Sequence, residues 1–359
     1  MKESIRIGAA FAGLVIGAGF ASGQEILQFF TSFGYWGIVG SLVATALFAF
    51  VGANLTRLGS RMHSVSHKSA IYKICGRPLG VFVDVVITFF LFGVAVVMFS
   101  GAGALFKEQF GIPAAAGSAF LVIAAVLTVL LNVQKVISLI SAVTPFLIVL
   151  VLILAGYSIL TADLSMSEIV RLAGEQDRAA PNWLLSGALY VSFNIACSAS
   201  MLVVMGGTEK NPKVAAMGGA IGGTILGLLI LLLNLAMLAK VDVAGGASMP
   251  TLALAGEISP VLSYIMAIVL LGMIYNTAVG MLYSFTARVS EPGTGRFKAT
   301  VITVGIAGFC LSFIGFVSLV GTLYPITGYL GFTLMLAVFV QWFRSFGRRS
   351  RPGAILTKG

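Results

Sequence analysis

Charge is what this sequence has least of. Of its 359 residues, 9% are Asp, Glu, Lys or Arg and 58% are hydrophobic. A soluble domain carries about 25% charged and roughly 45–50% apolar residues. This chain therefore cannot cover itself with a solvated surface, and it belongs to the membrane class. Histidine and cysteine are scarce as well. His63 and His67 stand together in a basic loop, and Cys75, Cys197 and Cys310 are odd in number and far apart. That excludes a disulfide framework and offers no zinc-ligand spacing. No HExxH, GxSxG or phosphate-loop pattern occurs, so the chain is not expected to be an enzyme or to hold an enzymatic cofactor.

What the sequence does have is long apolar runs. They place all-α spans near 4–32, 35–57, 79–106, 114–131, 136–160, 182–207, 214–239, 258–287, 298–316 and 318–343. Ten spans of roughly 20 residues with short connections fit the chain length. The basic start followed by an apolar run resembles a signal peptide, but it continues into Gln24-Glu25 without a cleavage pattern and reads as a retained first span. The net charge of +10 lies in loops, so it reads as a topology signal and not as a nucleic-acid surface. With the N-terminus inside, the outer loops hold only Lys107, Arg171, Arg178 and Lys240 of the 22 Lys and Arg. Basic loops stay cytoplasmic, which predicts ten spans, both termini inside, in the cytoplasmic membrane.

A polar outer loop at 161–181 divides the chain. Shifting the first half by 179 residues lays "GAAF" at 8–11 over "GALY" at 187–190 and brings Pro145 within one residue of Pro325. Five spans per half is an odd number, so the second half must run in the opposite sense. Such inverted repeats mark secondary transporters. The expected units are a first repeat at 1–160, the linker at 161–181, a second repeat at 182–343 and a basic tail at 344–359.

The first span is interrupted. "GLVIGAGFASGQEILQFF", residues 13–30, places Gly17, Gly19 and Gly23 beside Gln24 and Glu25. Non-helical backbone at membrane depth survives only against protein or a wet cavity, and glycine accepts the angles that a break requires. A break at Gly17-Ala18-Gly19 would present free amides, suited to an anion, and free carbonyls, suited to a cation. Glu25 has two readings. Ser22-Gly23-Gln24-Glu25 fits a capping box with Ser22 as N-cap, and an ionisable group at depth is by default functional, carrying a proton or pairing with an ammonium. In the sixth span "SFNIACSAS", 192–200, puts Asn194, Cys197, Ser198 and Ser200 at mid-membrane. These either bond their own helix carbonyls or mark a matching interruption. In the eighth span Asn276 and Thr277 are adjacent oxygens in an apolar run, forming either an all-oxygen cation cage facing the first span or ordinary interhelical bonds. Gly219, Gly223 and Gly227 in the seventh span read as a packing stripe.

These residues carry a family resemblance. The chain resembles the amino acid–polyamine–organocation superfamily, with its five-plus-five inverted-repeat (LeuT-type) fold, and "VIGAGFASGQEILQFF" resembles the YkvI-type membrane proteins of prokaryotes. The architectural resemblance spans all ten helices, and the motif covers about the first 35 residues. It implies broken helices 1 and 6 and a coupling sodium between helices 1 and 8. By carry-over, that ion would meet the carbonyls of Gly13 and Ile16, a carbonyl near Met273, and the side chains of Asn276 and Thr277. Asn276 stands where related symporters carry Ser or Thr. Proton-coupled relatives place a lysine in helix 5, whereas Lys135 lies at that helix's cytoplasmic end. The implied substrate site comprises Ala18, Gly19, Phe20, Asn194, Cys197 and Ser198.

The expected function is a sodium- or proton-coupled symporter of a small polar organic solute, an amino acid or derivative, by alternating access. Gly17 and Gly19 would be hinges, with Pro145 and Pro325 allowing bends. The alternative is a non-transporting membrane sensor of the same fold. The expected partners are a small-molecule substrate and the lipid bilayer, with no nucleic acid and no oligomeric state specified.

Overall fold

A computed structural model describes residues 2–62, 67–131 and 143–347. His63, Lys135, the start of the expected fifth span and the tail beyond 347 lie outside these. All regular structure among the described residues is helical. The expected first span is three pieces: α1 (Lys2–Val15), α2 (Ala18–Ser22) and α3 (Gln24–Phe29), closed by a 3₁₀ turn at Thr31–Phe33. Then follow α4 (Tyr35–Met62), α5 (His67–Phe110), α6 (Ala114–Leu131), α7 (Val143–Leu160) and the short α8 (Met166–Gly174). The second part comprises α9 (Trp183–Gly207), α10 (Pro212–Ala239), α11 (Val241–Ala244), α12 (Pro250–Ile258), α13 (Pro260–Val289), α14 (Gly295–Ser312) and α15 (Phe316–Gly347).

Six of these helices are long and apolar enough to cross a bilayer, and α9 makes a seventh if its two bent parts count as one span. The chain is a multi-pass membrane protein. Helices consume most of the loop expected between residues 57 and 79, since α4 runs on to Met62 and α5 begins at His67. The chain turns at Gly315, with φ of 100°, within the apolar stretch 313–316, and this divides α14 from α15. In the linker at 161–181, α8 carries a complete capping box. The Ser165 hydroxyl and backbone amide both bond Glu168, and this holds the Glu168 carboxyl below its usual range.

The helices form two main packing groups, which meet where α9 touches α5 and where α7 touches both α10 and α13. α4 lies against α9 and α10, and α1 lies against α10. Here the backbones touch. A Cβ on Gly219 would come within 2.3 Å of the Gly52 carbonyl, one on Gly223 within 2.5 Å of the Phe48 carbonyl, and one on Gly227 within 2.1 Å of Thr45. The stripe read from the sequence therefore packs on α4, as small residues do between membrane helices. A second group joins α5, α6, α13 and α14, while α15 packs on both α9 and α5. Polar ties fix one end of the first group, at the start of α4. Thr31 donates to Asn234 at 2.8 Å, and Asn234 donates to Ser41 at 3.3 Å, all three fully buried.

Gly219→Ala should therefore lower thermal stability in detergent by about 1–3 kcal/mol, the cost of overpacking. Gly156→Ala, with nothing within 4 Å of the added methyl, should leave stability unchanged or slightly raised. Equal melting temperatures for the two variants would show that the α4–α10 contact is not close-packed.

Candidate functional site

The helical ladder of the first segment opens first after α1. It runs to the bond from Ile16 N to Ala12 O and resumes at Ala21 N to Gly17 O. The carbonyls of Gly13, Leu14, Val15 and Ile16 and the amides of Gly17, Ala18, Gly19 and Phe20 lie between, outside the ladder. This is the break read from the glycines. A second discontinuity follows at Gly23, whose φ of 82° is the left-handed conformation that glycine adopts freely.

That second kink overturns the expected capping box. The N-cap of α3 is Gly23, with no side-chain cap bond. Ser22 donates to the Gly19 carbonyl at 2.8 Å and accepts from Gln24 N at 3.3 Å. Glu25 turns away from the Ser22 backbone and accepts from the Tyr190 hydroxyl at 3.1 Å. The reason is steric. Gly19 has no side chain, and Glu25 Oε1 lies 1.8 Å from where a Cβ on Gly19 would stand. The carboxyl thus lies in the notch that glycine leaves, 6% exposed.

Around this break lies a cavity of ≈ 290 Å³. The break itself lines it, from Gly13 to Gly19, together with Glu25. Asn194, Cys197 and Ser198 of α9 face it, as do Met273, Asn276 and Thr277 of α13. The site residues proposed from the sequence are thus brought together, except that Phe20 is buried beside the cavity without lining it. Its open amide, not its ring, belongs to the break. Thr277 Oγ1 faces the break, 3.9 Å from where a Cβ on Gly17 would be. Thr128, Thr286 and Thr327 all bond the carbonyl four residues back. Thr277 and Asn276 make no side-chain hydrogen bond among the described residues, so their oxygens stay available to the cavity.

The expected interruption of the sixth span takes the form of a sharp bend. α9 is helical over Trp183–Gly207, and its parts Trp183–Ala199 and Met201–Gly207 meet at 56°. Asn194 donates to Tyr190 O, Cys197 to Phe193 O and Ser198 to Asn194 O, each four residues back. Such back-bonding bends helices. All three residues line the cavity just before the bend.

Sequence reasoning missed the aromatic wall. Phe193 stacks on Tyr324 at 4.9 Å, with Phe90 6.2–6.3 Å from both, and all three line the cavity with Val94 and Met98. Tyr190 stands behind the wall, edge-on to Phe29, Phe30, Phe48 and Phe193. An apolar span offers no local signal for which phenylalanines face a cavity.

The two ends of the cavity differ. Gly13 and Leu14 are exposed, while every residue from Ala18 to Gln28 is buried. Three bonds cover the far side: Thr251 at the start of α12 donates to Ala21 O at 2.6 Å, Gln28 to Val317 O at 3.1 Å, and Arg178 to Ser32 O at 3.2 Å.

Comparison with known proteins agrees with this architecture. No family model matches the chain. It is 28% identical over 331 residues to the uncharacterized membrane protein YkvI of Bacillus subtilis strain 168, covering 92% of this chain and 94% of that one. It is 27% identical over 332 residues to YyaD of the same organism, covering 91% and 94%. Among solved structures, MhsT in complex with L-phenylalanine matches with a TM-score of 0.65 at 18% identity, over 94% of this chain and 88% of that one. Inward-facing Mhp1 matches at 0.60 and 15%, over 99% and 80%. A manganese transporter of Eremococcus coleocola matches at 0.56 and 16%, over 90% and 75%. Resemblance to the YkvI-type proteins thus extends along the whole chain, and the fold is that of the LeuT-type transporters.

The notch at Gly19 makes a double-mutant test possible. Gly19→Ala should destabilise the protein by about 1–3 kcal/mol by evicting the Glu25 carboxyl. Gly19→Ala/Glu25→Ala should be more stable than the sum of the single effects predicts, since contacting residues couple by about 0.5–3 kcal/mol. Additive losses of melting stability would show that the carboxyl does not occupy the notch.

Proposed function

We propose that this chain is a secondary active transporter of a small polar organic solute, an amino acid or derivative, working by alternating access and coupled to sodium or protons. The observation that carries the reading is the opened turn at Gly13–Phe20. It faces a carboxyl on one side and two uncommitted oxygens on the other, inside a cavity sealed at one end. Ten spans in two inverted repeats of five give this geometry its symmetry. The correspondence of Pro145 with Pro325 under the 179-residue shift supports that topology. The excess of Lys and Arg on one side supports cytoplasmic termini in the cytoplasmic membrane.

The roles follow from the chemistry of each group. A sodium ion is served by neutral oxygens: the open carbonyls of Gly13 and Ile16, a carbonyl at Met273, and the side chains of Thr277 and Asn276. A solute carboxylate is served by the open amides of Ala18, Gly19 and Phe20, where the dipole of the following helix favours negative charge. Glu25 pairs with a solute ammonium or carries the coupled proton. Asn194, Cys197 and Ser198 contact the solute's polar atoms. Phe90, Phe193 and Tyr324 accept its apolar part, and a volume near 300 Å³ is at the lower end for small-molecule sites. The fold shared with a protein solved with L-phenylalanine fits such an amphipathic solute. With its α1 end open and its α12 end covered, the protein faces the cytoplasm. An ion joining the α1–α2 break to α13 shifts the population by binding one conformation better than the other.

A thermal-shift screen of small metabolites, with and without sodium and at two pH values, tests the reading, because a ligand specific to the folded state raises apparent stability. Uptake of the hit into sealed vesicles must follow; a ligand that binds but never accumulates would leave a sensor in place of a carrier. In the same assay Thr277→Ala should weaken ion dependence roughly tenfold through the loss of one oxygen ligand to the ion, an interaction of about the size of a hydrogen bond to a charged group. Unchanged ion dependence removes the ion site. Glu25→Gln should flatten the pH dependence of uptake in a folded protein if Glu25 carries the proton. A sodium-driven carrier would instead keep its pH profile and lose affinity for the amine-bearing solute.

A further inference from the structure

A second cavity lies at the opposite end of α4 from its outer start, and the transport reading does not use it. It is ≈ 70 Å³ in volume and opens between the last turns of α4 and α15. Arg57 and Arg61 line it, one helical turn apart, with Asn54 a further turn up the same face and Val338 and Trp342 across from them. The Asn54 amide donates to Phe50 O at 2.8 Å, so its side-chain oxygen is turned from that bond. Above the arginines Phe50 stacks on Phe339 at 4.7 Å and meets Trp342 edge-on at 5.3 Å. Two guanidinium groups thus sit below an aromatic, apolar wall on the outside of the bundle. Ser60 of α4 donates to the Glu209 carbonyl at 2.6 Å, which brings the turn carrying Lys210 and Lys213 to the same end. This is the basic end of the molecule, level with a bilayer interface, where tryptophan collects.

The geometry points to a binding site for a phosphate group between α4 and α15, with the phosphate of an anionic phospholipid headgroup or a free phosphate as the ligand chemistry. The guanidinium fork matches phosphate oxygens in pairs. Basic pockets between membrane helices on the cytoplasmic side draw anionic headgroups by the same attraction that concentrates cations at that leaflet. Phe50, Phe339 and Val338 extend from the arginines toward the membrane interior, along the path that the acyl chains of a bound lipid take. α4 is the helix against which α9 and α10 pack, and α15 is one of the helices that touch both packing groups. A ligand held by both therefore joins the two groups away from the central cavity.

The test uses the full chain in detergent at fixed, low ionic strength. Melting temperature is followed as phosphatidylglycerol, diacylglycerol with the same acyl chains, or inorganic phosphate is added. Phosphatidylglycerol should raise it and diacylglycerol should not. Arg61→Gln, at an exposed position, should weaken the apparent affinity roughly tenfold, the loss of a charge-assisted hydrogen bond. Arg57→Lys, which keeps the charge but loses the fork, should also weaken it, while Arg296→Gln on α14 should not. A response to inorganic phosphate with the same sensitivity to Arg61 supports the site and assigns it to free phosphate. No response to either phosphate probe overturns the proposal. So does an equal response to diacylglycerol, or one that Arg61→Gln and Arg57→Lys leave unchanged.

Discussion

Backbone hydrogen bonding within a membrane is the constraint on which the rest depends. Each polar group of the main chain left open at that depth costs several kcal/mol unless protein or water meets it. At the first break four carbonyls and four amides leave the ladder within one stretch of eight residues, Gly13–Phe20. Such a stretch is stable only if the surrounding helices hold it away from lipid and leave it a polar space. The cavity, the uncommitted oxygens of Asn276 and Thr277 and the carboxyl of Glu25 are that space.

The packing explains why the break can stay where it is. α1 lies on α10 through glycines: a Cβ on Gly222 would come within 2.7 Å of the Gly8 carbonyl. The first half of the broken segment is thereby fixed to the group that includes α4 and α9. The wall opposite, from α5 and α13, belongs to the second group. The cavity is therefore an interface between two bodies that are each internally close-packed, with α15 touching both. A space of this kind changes shape when the bodies move relative to each other, with little repacking inside either.

The glycine pair flanking Ala18 and the stripe at 219, 223 and 227 were legible in the sequence because both are local. A break needs permissive residues in a row, and a contact stripe needs small residues four apart. The adjacent Asn276 and Thr277 were legible as polar atoms in an apolar run. Glu25 was half legible. Its depth marked it, but its partner Tyr190 lies 165 residues away, and the notch at Gly19 exists only in three dimensions, so a capping box was the natural local reading. The sixth span was legible in both of its readings: Asn194, Cys197 and Ser198 bond their own helix carbonyls, and the span bends by 56° just after them. The aromatic wall was not legible. With 26 phenylalanines in the chain, nothing in the residues around Phe90 or Phe193 separates a ring facing a cavity from one facing lipid.

The sealed end carries opposing energies. Gln24 and Gln28 are buried with Glu25 on α3, and their side-chain oxygens find no hydrogen-bond partner among the described residues. A buried acceptor left unmatched costs about 1–3 kcal/mol, and admitting water would recover that. The bonds of Thr251, Arg178 and Gln28 to carbonyls across the seal work the other way, each worth about 0.5–1.5 kcal/mol, or up to about 3 where the charged Arg178 donates. These polar contributions are of similar size and opposite sign. On the alternating-access reading proposed above, a segment that seals in one state and admits water in the other would need such opposition, and polar residues that a membrane helix otherwise excludes would supply it, leaving a gap that a ligand's differential affinity could reverse.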